Sequence, residues 1–419
     1  MKYAEIKNAV ENNLKYFLKW AFLSILIGCA GGLIGGVFGL AIKKAAGFFG
    51  SCHWLLYLLP VSGCLIVWLY RFAHEEKNRG TDMVLDSISS TEEVTPATAP
   101  LIFISTLLSH LATASVGREG AALQLGGSLG NLIGKAFRLD EKDRKIAIMC
   151  GMSAGFSAIF GTPLAAAVFA MEVGCVGAMQ YAALVPCTIS SLTASYLASK
   201  LGIPLAHFSV TQMPGLHPLP ALKILLLGIL CAAVSILFCI LLHQCEKWLK
   251  QKFPNPYLRI LAASGILLLL LLLLRSRDYL GVGTNVISSA IAGKVVWYAF
   301  LAKMLFTAVT LGGGFKGGEI VPSFFIGATF GCLFGQLLHL SPSFCASVGM
   351  IALFCGVTNC PLASLLIAIE LFGAQGTPYY LLAIAVSYLL SGYYGLYREQ
   401  KFLYSKFAEK PASHKTRRS

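Results

Sequence analysis

Long apolar stretches dominate this chain, near 17–42, 54–70, 97–115, 146–173, 178–199, 224–242, 258–274, 298–313, 320–340, 345–372 and 377–394. A helix needs ~20 consecutive apolar residues to cross a bilayer, so the pattern predicts about ten or more membrane-embedded helices. Several stretches are too long, or too often broken by glycine, to be one straight span. No soluble domain and no low-complexity linker separates them, so residues 1–419 read as a single membrane domain.

Composition agrees with that pattern. Only 12% of the residues are charged and 56% are hydrophobic, with a mean hydropathy of +0.72; a soluble domain carries roughly 25% charged residues. The chain is therefore expected to be an all-α polytopic membrane protein. Its net charge of +14 does not point to nucleic acid, because the basic residues gather outside the apolar spans. Lys2, Lys7, Lys15 and Lys19 precede the first span, and Lys415, Arg417 and Arg418 lie in the tail. The positive-inside bias then makes residues 1–15 and 398–419 cytoplasmic ends of a multi-pass protein of the cell membrane. Lys43 and Lys44 follow the first apolar run where a cleavable leader would have small residues, so that run reads as a span. The 13 cysteines are scattered, mostly through apolar segments, with no Cys-x-x-Cys pair. They read as buried, reduced thiols, and the sequence calls for no metal and no cofactor.

The carboxylates change the picture. Of 19 acidic residues, four fall inside strongly apolar stretches: Glu119, Glu172, Glu319 and Glu370. A charge at bilayer depth is costly, so such residues face a cavity or a partner and often mark an ion or proton path. The chain also repeats itself. Gly161-Thr162-Pro163-Leu164-Ala165, followed by Glu172, resembles Asn359-Cys360-Pro361-Leu362-Ala363, followed by Glu370, at an offset of 198. Gly126, Gly130 and Gly134 match Gly327, Gly331 and Gly335 at an offset of 201. These matches suggest a first repeat over about 54–200 and a second over about 221–397. In transporters, repeated halves place the substrate site where broken helices from each half meet.

Two Gly-rich breaks carry the chemistry. Gly117-Arg118-Glu119-Gly120 precedes a mostly apolar run that reads as a helix, and a helix N-terminus presents free N–H groups to an anion. Glu119 could occupy that place itself and leave it when protonated; equally, it could cap its own helix or pair with Arg118. The second break, Gly312 to Pro322, puts Pro322 in the first turn of a helix, where its missing N–H costs nothing. The N–H groups of Glu319, Ile320 and Val321 could then face the same anion. The bland alternative is a flexible loop outside the membrane, which the apolar flanks disfavour.

Three further features carry readings of their own. Glu172 and Glu370, late in long apolar helices, are at least as readily helix-end carboxylates near the surface as functional groups. His110, alone near the end of an apolar run, reads as a packed or interfacial histidine. Gly151-Met152-Ser153-Ala154-Gly155 fits the Gly-x-Ser-x-Gly nucleophile pattern, so an intramembrane serine protease is a remote alternative. No strand–turn–helix context supports it, and the chain is not expected to be an enzyme.

Taken together, from about Gly80 to Tyr397, the chain resembles the CLC family of anion channels and proton-coupled antiporters. Gly117-Arg118-Glu119-Gly120 is similar to the family's gating-glutamate motif, Gly317 through Pro322 to its second anion loop, and Tyr397 to its anion-coordinating tyrosine. The resemblance implies two inverted repeats whose broken helices meet at a central anion site, and a homodimer with one pathway per subunit. Departures from the chloride members are informative. Their first anion loop reads Gly-Ser-Gly-Ile-Pro, whereas Gly80-Thr81-Asp82-Met83-Val84 stands here without the proline. Glu319 replaces an apolar residue, and Ala121 a proline. These features look like the fluoride-exporting branch. The inner proton-transfer glutamate of chloride exchangers aligns with Val173, which cannot carry a proton, and Asp82 puts a carboxylate beside the first anion loop, to be turned away or neutralised by a base such as Arg79.

Fluoride is small, strongly hydrated and accepts short, strong hydrogen bonds. The Thr81 hydroxyl, the second loop's N–H groups and the Tyr397 hydroxyl supply donors to replace its water, and a protonated Glu119 another. The expected function is fluoride export coupled to proton entry, with Glu119 and Glu319 in gating and proton coupling. A chloride channel or chloride/proton antiporter of the same family is the alternative.

Overall fold

The computed structural model describes residues 2–51, 53–89, 94–203, 207–407 and 411–415; Arg417 and Arg418 of the basic tail lie outside the described residues. The helices fall into two series. The first comprises α1 Lys2–Ser51, α2 Leu59–Phe72, α3 Thr81–Ser89, α4 Thr98–Leu111, α5 Glu119–Ala136, α6 Glu141–Phe160, α7 Pro163–Glu172 and α8 Leu184–Lys200. The second comprises α9 Pro218–Lys252, α10 Pro256–Leu274, α11 Thr284–Ile291, α12 Ala299–Gly313, α13 Ile320–Leu337, α14 Pro342–Thr358, α15 Pro361–Phe372 and α16 Thr377–Leu390. Packing follows the same order in both: α5 lies on α6 as α13 lies on α14, and α1 on α8 as α9 on α16.

Local sequence dictates where these helices start and stop. Pro163, Pro218, Pro256, Pro342 and Pro361 each open a helix, where proline's fixed φ and missing N–H are harmless. Asp140 and Ser341 cap α6 and α14 by accepting from the N–H of Asp143 and Phe344. Left-handed residues end the same two helices, Gly161 at φ 74° and Asn359 at φ 58°. The repeated Gly/Asn-x-Pro-Leu-Ala motif is thus a stop, a turn and a restart. It makes α7 and α15 short, which is why one long apolar run in each half is not one span.

The repeated glycines lie at helix crossings. A Cβ built on Gly126 would stand 2.0 Å from the Gly151 carbonyl oxygen, and one on Gly331 would stand 2.1 Å from that of Cys345. Glycine lets α5 approach α6, and α13 approach α14, backbone to backbone. The Gly-x-Ser-x-Gly segment belongs to this contact. Ser153 is fully buried in α6, and its hydroxyl donates to the carbonyls of Cys150 (2.8 Å) and Cys187 (3.2 Å).

Among the described residues, six helical segments are long and apolar enough to cross a membrane, and five shorter apolar helices accompany them. Large apolar side chains such as Trp68, Leu272 and Leu273 point outward, at 50%, 71% and 68% exposure, as lipid-facing positions require. A small sheet departs from the helical plan. Strand β1 Cys175–Val176 pairs in parallel with β2 Lys401–Tyr404, which pairs antiparallel with β3 Pro411–Lys415. Phe402 of β2 is buried edge-on against Tyr393, which holds this C-terminal segment to the helices.

Candidate functional site

The two Gly-rich breaks meet. Gly117 and Gly318 form an isolated antiparallel bridge, each N–H donating to the other's carbonyl at 2.6 and 2.8 Å. A Cβ on Gly318 would stand 2.5 Å from the Gly120 nitrogen, so only glycine permits the approach. Reciprocal contact between equivalent residues is what a two-fold relation between halves produces. The N-termini of α5 and α13 are thereby brought side by side.

Glu119 opens α5 and is 1% exposed. Its carboxylate folds back on its own helix start, accepting from the Arg118 backbone N–H (3.0 Å) and from Arg118 Nε (3.3 Å). The carboxylate thus pairs with Arg118 at the start of α5, where a negative charge is favoured. Glu319 is the N-cap of α13, and the N–H groups of Ile320 and Val321 fall in its first turn, where a helix supplies no acceptor. From the Cβ position of Gly120, Thr81 Oγ1 lies 3.6 Å away and Glu319 Oε2 lies 3.7 Å away. Tyr397 is 1% exposed and within electrostatic reach of Glu319 and Asp82. Thr81, Glu119, Glu319, Ile320, Val321 and Tyr397 thus converge on one buried region, although more than 300 residues separate Thr81 from Tyr397.

Asp82 stays beside this region, within electrostatic reach of Glu319 and Tyr397. Its Oδ1 accepts from the Glu399 N–H at 3.4 Å. Arg79 pairs with Asp86 (3.0 Å) and Glu399 (2.9 Å), and Arg398 pairs with Glu246 of α9. The segment just after Tyr397 is consequently tied to α3 and to α9. Behind Val173 the interior is filled by amides: Gln400 Nε2 donates to the carbonyls of Val173 (2.9 Å) and Thr358 (2.7 Å), and Asn359 donates to Gln400 Oε1 (3.0 Å). A neutral amide stands there, not a carboxylate.

Glu172 and Glu370 find reciprocal partners. The Glu172 carboxylate, at the end of α7, accepts from Leu362 and Ala363 at the start of α15, at 3.1 and 2.9 Å. Glu370, near the end of α15, accepts from Leu164 and Ala165 at the start of α7, at 2.9 Å each. Each carboxylate caps a helix of the other half, with the macrodipole favouring its charge. Glu172→Gln should lower stability by about 2 kcal/mol, because an amide leaves one buried N–H without an acceptor. Thermal unfolding in detergent would show it. Proton movement should be unaffected, and its loss in a fully folded variant would make Glu172 a proton carrier instead of a cap.

Sequence reading missed three polar groups. Gln124, 3% exposed on α5, donates from Nε2 to Thr81 Oγ1 at 3.0 Å. Lys303, fully buried on α12, donates to the carbonyls of Gly281 (2.7 Å) and Tyr279 (3.2 Å) and sits 5.2 Å from the Phe325 ring centre. Lys316, in the second break, lies 4.3 Å above the Tyr70 ring. Lys303 is the basic counterpart of the four intramembrane acids and was visible in the same way. His110 is buried, with Nδ1 2.8 Å from the Thr106 carbonyl, as a packed histidine would be.

Broken helices from two similarly packed series, meeting over buried carboxylates, define a class: helical membrane proteins with an ion site between related halves. Within it, the chain belongs to the CLC family, as residues 62–392 match the family described as voltage gated chloride channel. A chloride/fluoride channel protein of Pseudomonas syringae pv. tomato is 34% identical over 400 residues, covering 94% of this chain and 88% of that one. The crystal structure of a CLC-type fluoride/proton antiporter superposes with a TM-score of 0.88 at 32% identity, covering 92% and 98% of the two chains. A slow cyanobacterial Cl−/H+ antiporter shares the fold, with a TM-score of 0.78 at 20% identity over 89% and 94%.

Proposed function

We propose that this protein is a fluoride/proton antiporter that exports fluoride from the cytoplasm in exchange for protons. The observation that carries the reading is Glu319 Oε2 and Thr81 Oγ1, each within 4 Å of the Gly120 Cβ position, at a helix start already occupied by Glu119. The similar proteins described as a chloride/fluoride channel and a fluoride/proton antiporter support it. In this mechanism the ionised Glu119 holds the anion position at the start of α5. Protonation removes its charge and so weakens its hold on the Arg118 N–H and guanidinium, which lets the side chain leave. Fluoride then sits between the N–H groups of Ile320 and Val321 and the hydroxyls of Thr81 and Tyr397. These donors replace its water. Glu319 accepts the incoming proton from Glu119 and releases it inward, taking the place of the carboxylate that Val173 lacks. The halves about 54–200 and 221–397 are inverted repeats, the ends 1–15 and 398–419 are cytoplasmic, and two copies assemble in the cell membrane with a pathway in each.

Purified protein in liposomes tests the reading through separate fluoride and chloride efflux, with proton uptake recorded in parallel. Fluoride efflux should exceed chloride efflux at least tenfold and should drive protons inward. Chloride efflux equal to or above fluoride would make this an ordinary chloride channel or exchanger of the family.

A further inference from the structure

We infer that Gln124 is a positioning residue that aims the Thr81 hydroxyl at the transported anion. The inference rests on Thr81 being an anion ligand and adds the group that makes it a donor.

A hydroxyl has one hydrogen to give and can also accept. Elsewhere in this protein, hydroxyls inside helices spend that hydrogen on the carbonyl four residues back: Thr310 on Phe306 (2.6 Å), Thr329 on Phe325 (2.7 Å), Thr358 on Phe354 (2.7 Å) and Ser105 on Leu101 (2.5 Å). Such a hydroxyl can only accept from its surroundings and is useless to an anion. Thr81 escapes this fate because it is the first residue of α3 and has no helical turn behind it. Its oxygen instead accepts from Gln124 Nε2 at 3.0 Å. With that side of the oxygen occupied by a donor, the Thr81 hydrogen turns the other way, towards Gly120 and Glu319.

This orientation leaves the other end of the amide without a partner. Gln124 is 3% exposed, and its Oε1 is buried with no hydrogen-bond partner among the described residues. Leaving a buried acceptor unsatisfied is unfavourable. The amide nevertheless presents its nitrogen, not its oxygen, to Thr81. Had the oxygen faced Thr81, the hydroxyl hydrogen would be consumed by Gln124 and the anion would meet only lone pairs. Thr81 and Gln124 thus form a two-residue unit, one from the first anion loop and one a turn and a half into the helix that Glu119 opens.

The test is a double-mutant cycle in liposomes, reading the KM and maximal rate of fluoride efflux for Gln124→Leu, Thr81→Val and the pair. Gln124→Leu should raise KM three- to tenfold, the range set by losing one hydrogen bond, with maximal rate within about twofold. On the Thr81→Val background it should add nothing. An unchanged KM for Gln124→Leu, or an equal further rise on the Thr81→Val background, overturns the positioning role. An unchanged KM for Thr81→Val overturns the anion-ligand reading itself, and the two failures are told apart by which single variant is silent. Should Gln124→Leu not give monodisperse protein, the unbranched Gln124→Met replaces it with the same expected values.

Discussion

Glu119→Gln should abolish proton uptake driven by a fluoride gradient, reducing it at least tenfold below the parent. Glutamine is nearly the same size as glutamate and can still accept from the Arg118 N–H, so the helix start keeps an occupant. What it loses is titration. In the parent, the side chain is held at the N-terminus of α5 by charge, and protonation removes the reason for it to stay. Glutamine has one state only, so no step can trade a proton for an anion there. A tenfold loss corresponds to about 1.4 kcal/mol, within the ~1.5–3 kcal/mol that a hydrogen bond to a charged group contributes. Fluoride should cross no faster than the coupled rate in this variant, and whatever flux persists should carry no protons. Liposomes loaded with fluoride and a pH-sensitive dye read both quantities together. Exchange at the parent rate and parent proton yield would refute the assignment and leave Glu319, with Oε2 facing Gly120 across the same region, as the coupling group.

Much of this arrangement was legible because bilayer physics is strict about charge and length. Apolar runs gave the helices, and glutamates inside them gave Glu119 and Glu319. The restarts at Pro163 and Pro361 were not read, because the repeated motif stands in the sequence only as a repeat within one long apolar run. What could not be read was contact between distant segments. The 198-residue offset paired Glu172 with Glu370 as equivalents, but not as caps of each other's helices, because that depends on α7 and α15 lying antiparallel. The contact of Asp82 with the Glu399 N–H could not be read either, since a carboxylate's partners are set by the fold and not by its neighbours in sequence. Gln124 gave no signal at all. A lone glutamine in an apolar helix resembles any interfacial residue until its amide is seen on Thr81. The strand Lys401–Tyr404 was hidden too, for four residues gain strand character from the edge they pair with.

The periodic glycines lead to the strongest expected effect on folding. Gly126→Ala and Gly331→Ala should each prevent recovery of monodisperse protein, whereas Gly265→Ala should be tolerated. A methyl at Gly126 would stand 2.0 Å from the Gly151 oxygen, and one at Gly331 would stand 2.1 Å from the Cys345 oxygen. Overpacking in a core usually costs about 1–3 kcal/mol, because side chains can turn aside. Here the obstacle is the backbone of a helix, which cannot turn aside, so α5 must lift off α6, or α13 off α14, by more than an ångström. That lift would also carry the starts of α5 and α13 away from the Gly117–Gly318 bridge, where Glu119 and Glu319 are placed. Gly265 lies within α10 with nothing within 4 Å of its would-be Cβ, and alanine there should be neutral or stabilising by up to about 1 kcal/mol. Size-exclusion profiles and thermal midpoints of the three variants decide the matter. Normal profiles for Gly126→Ala and Gly331→Ala would mean that these glycines mark the repeat without setting the helix crossings that bring the two broken helices together.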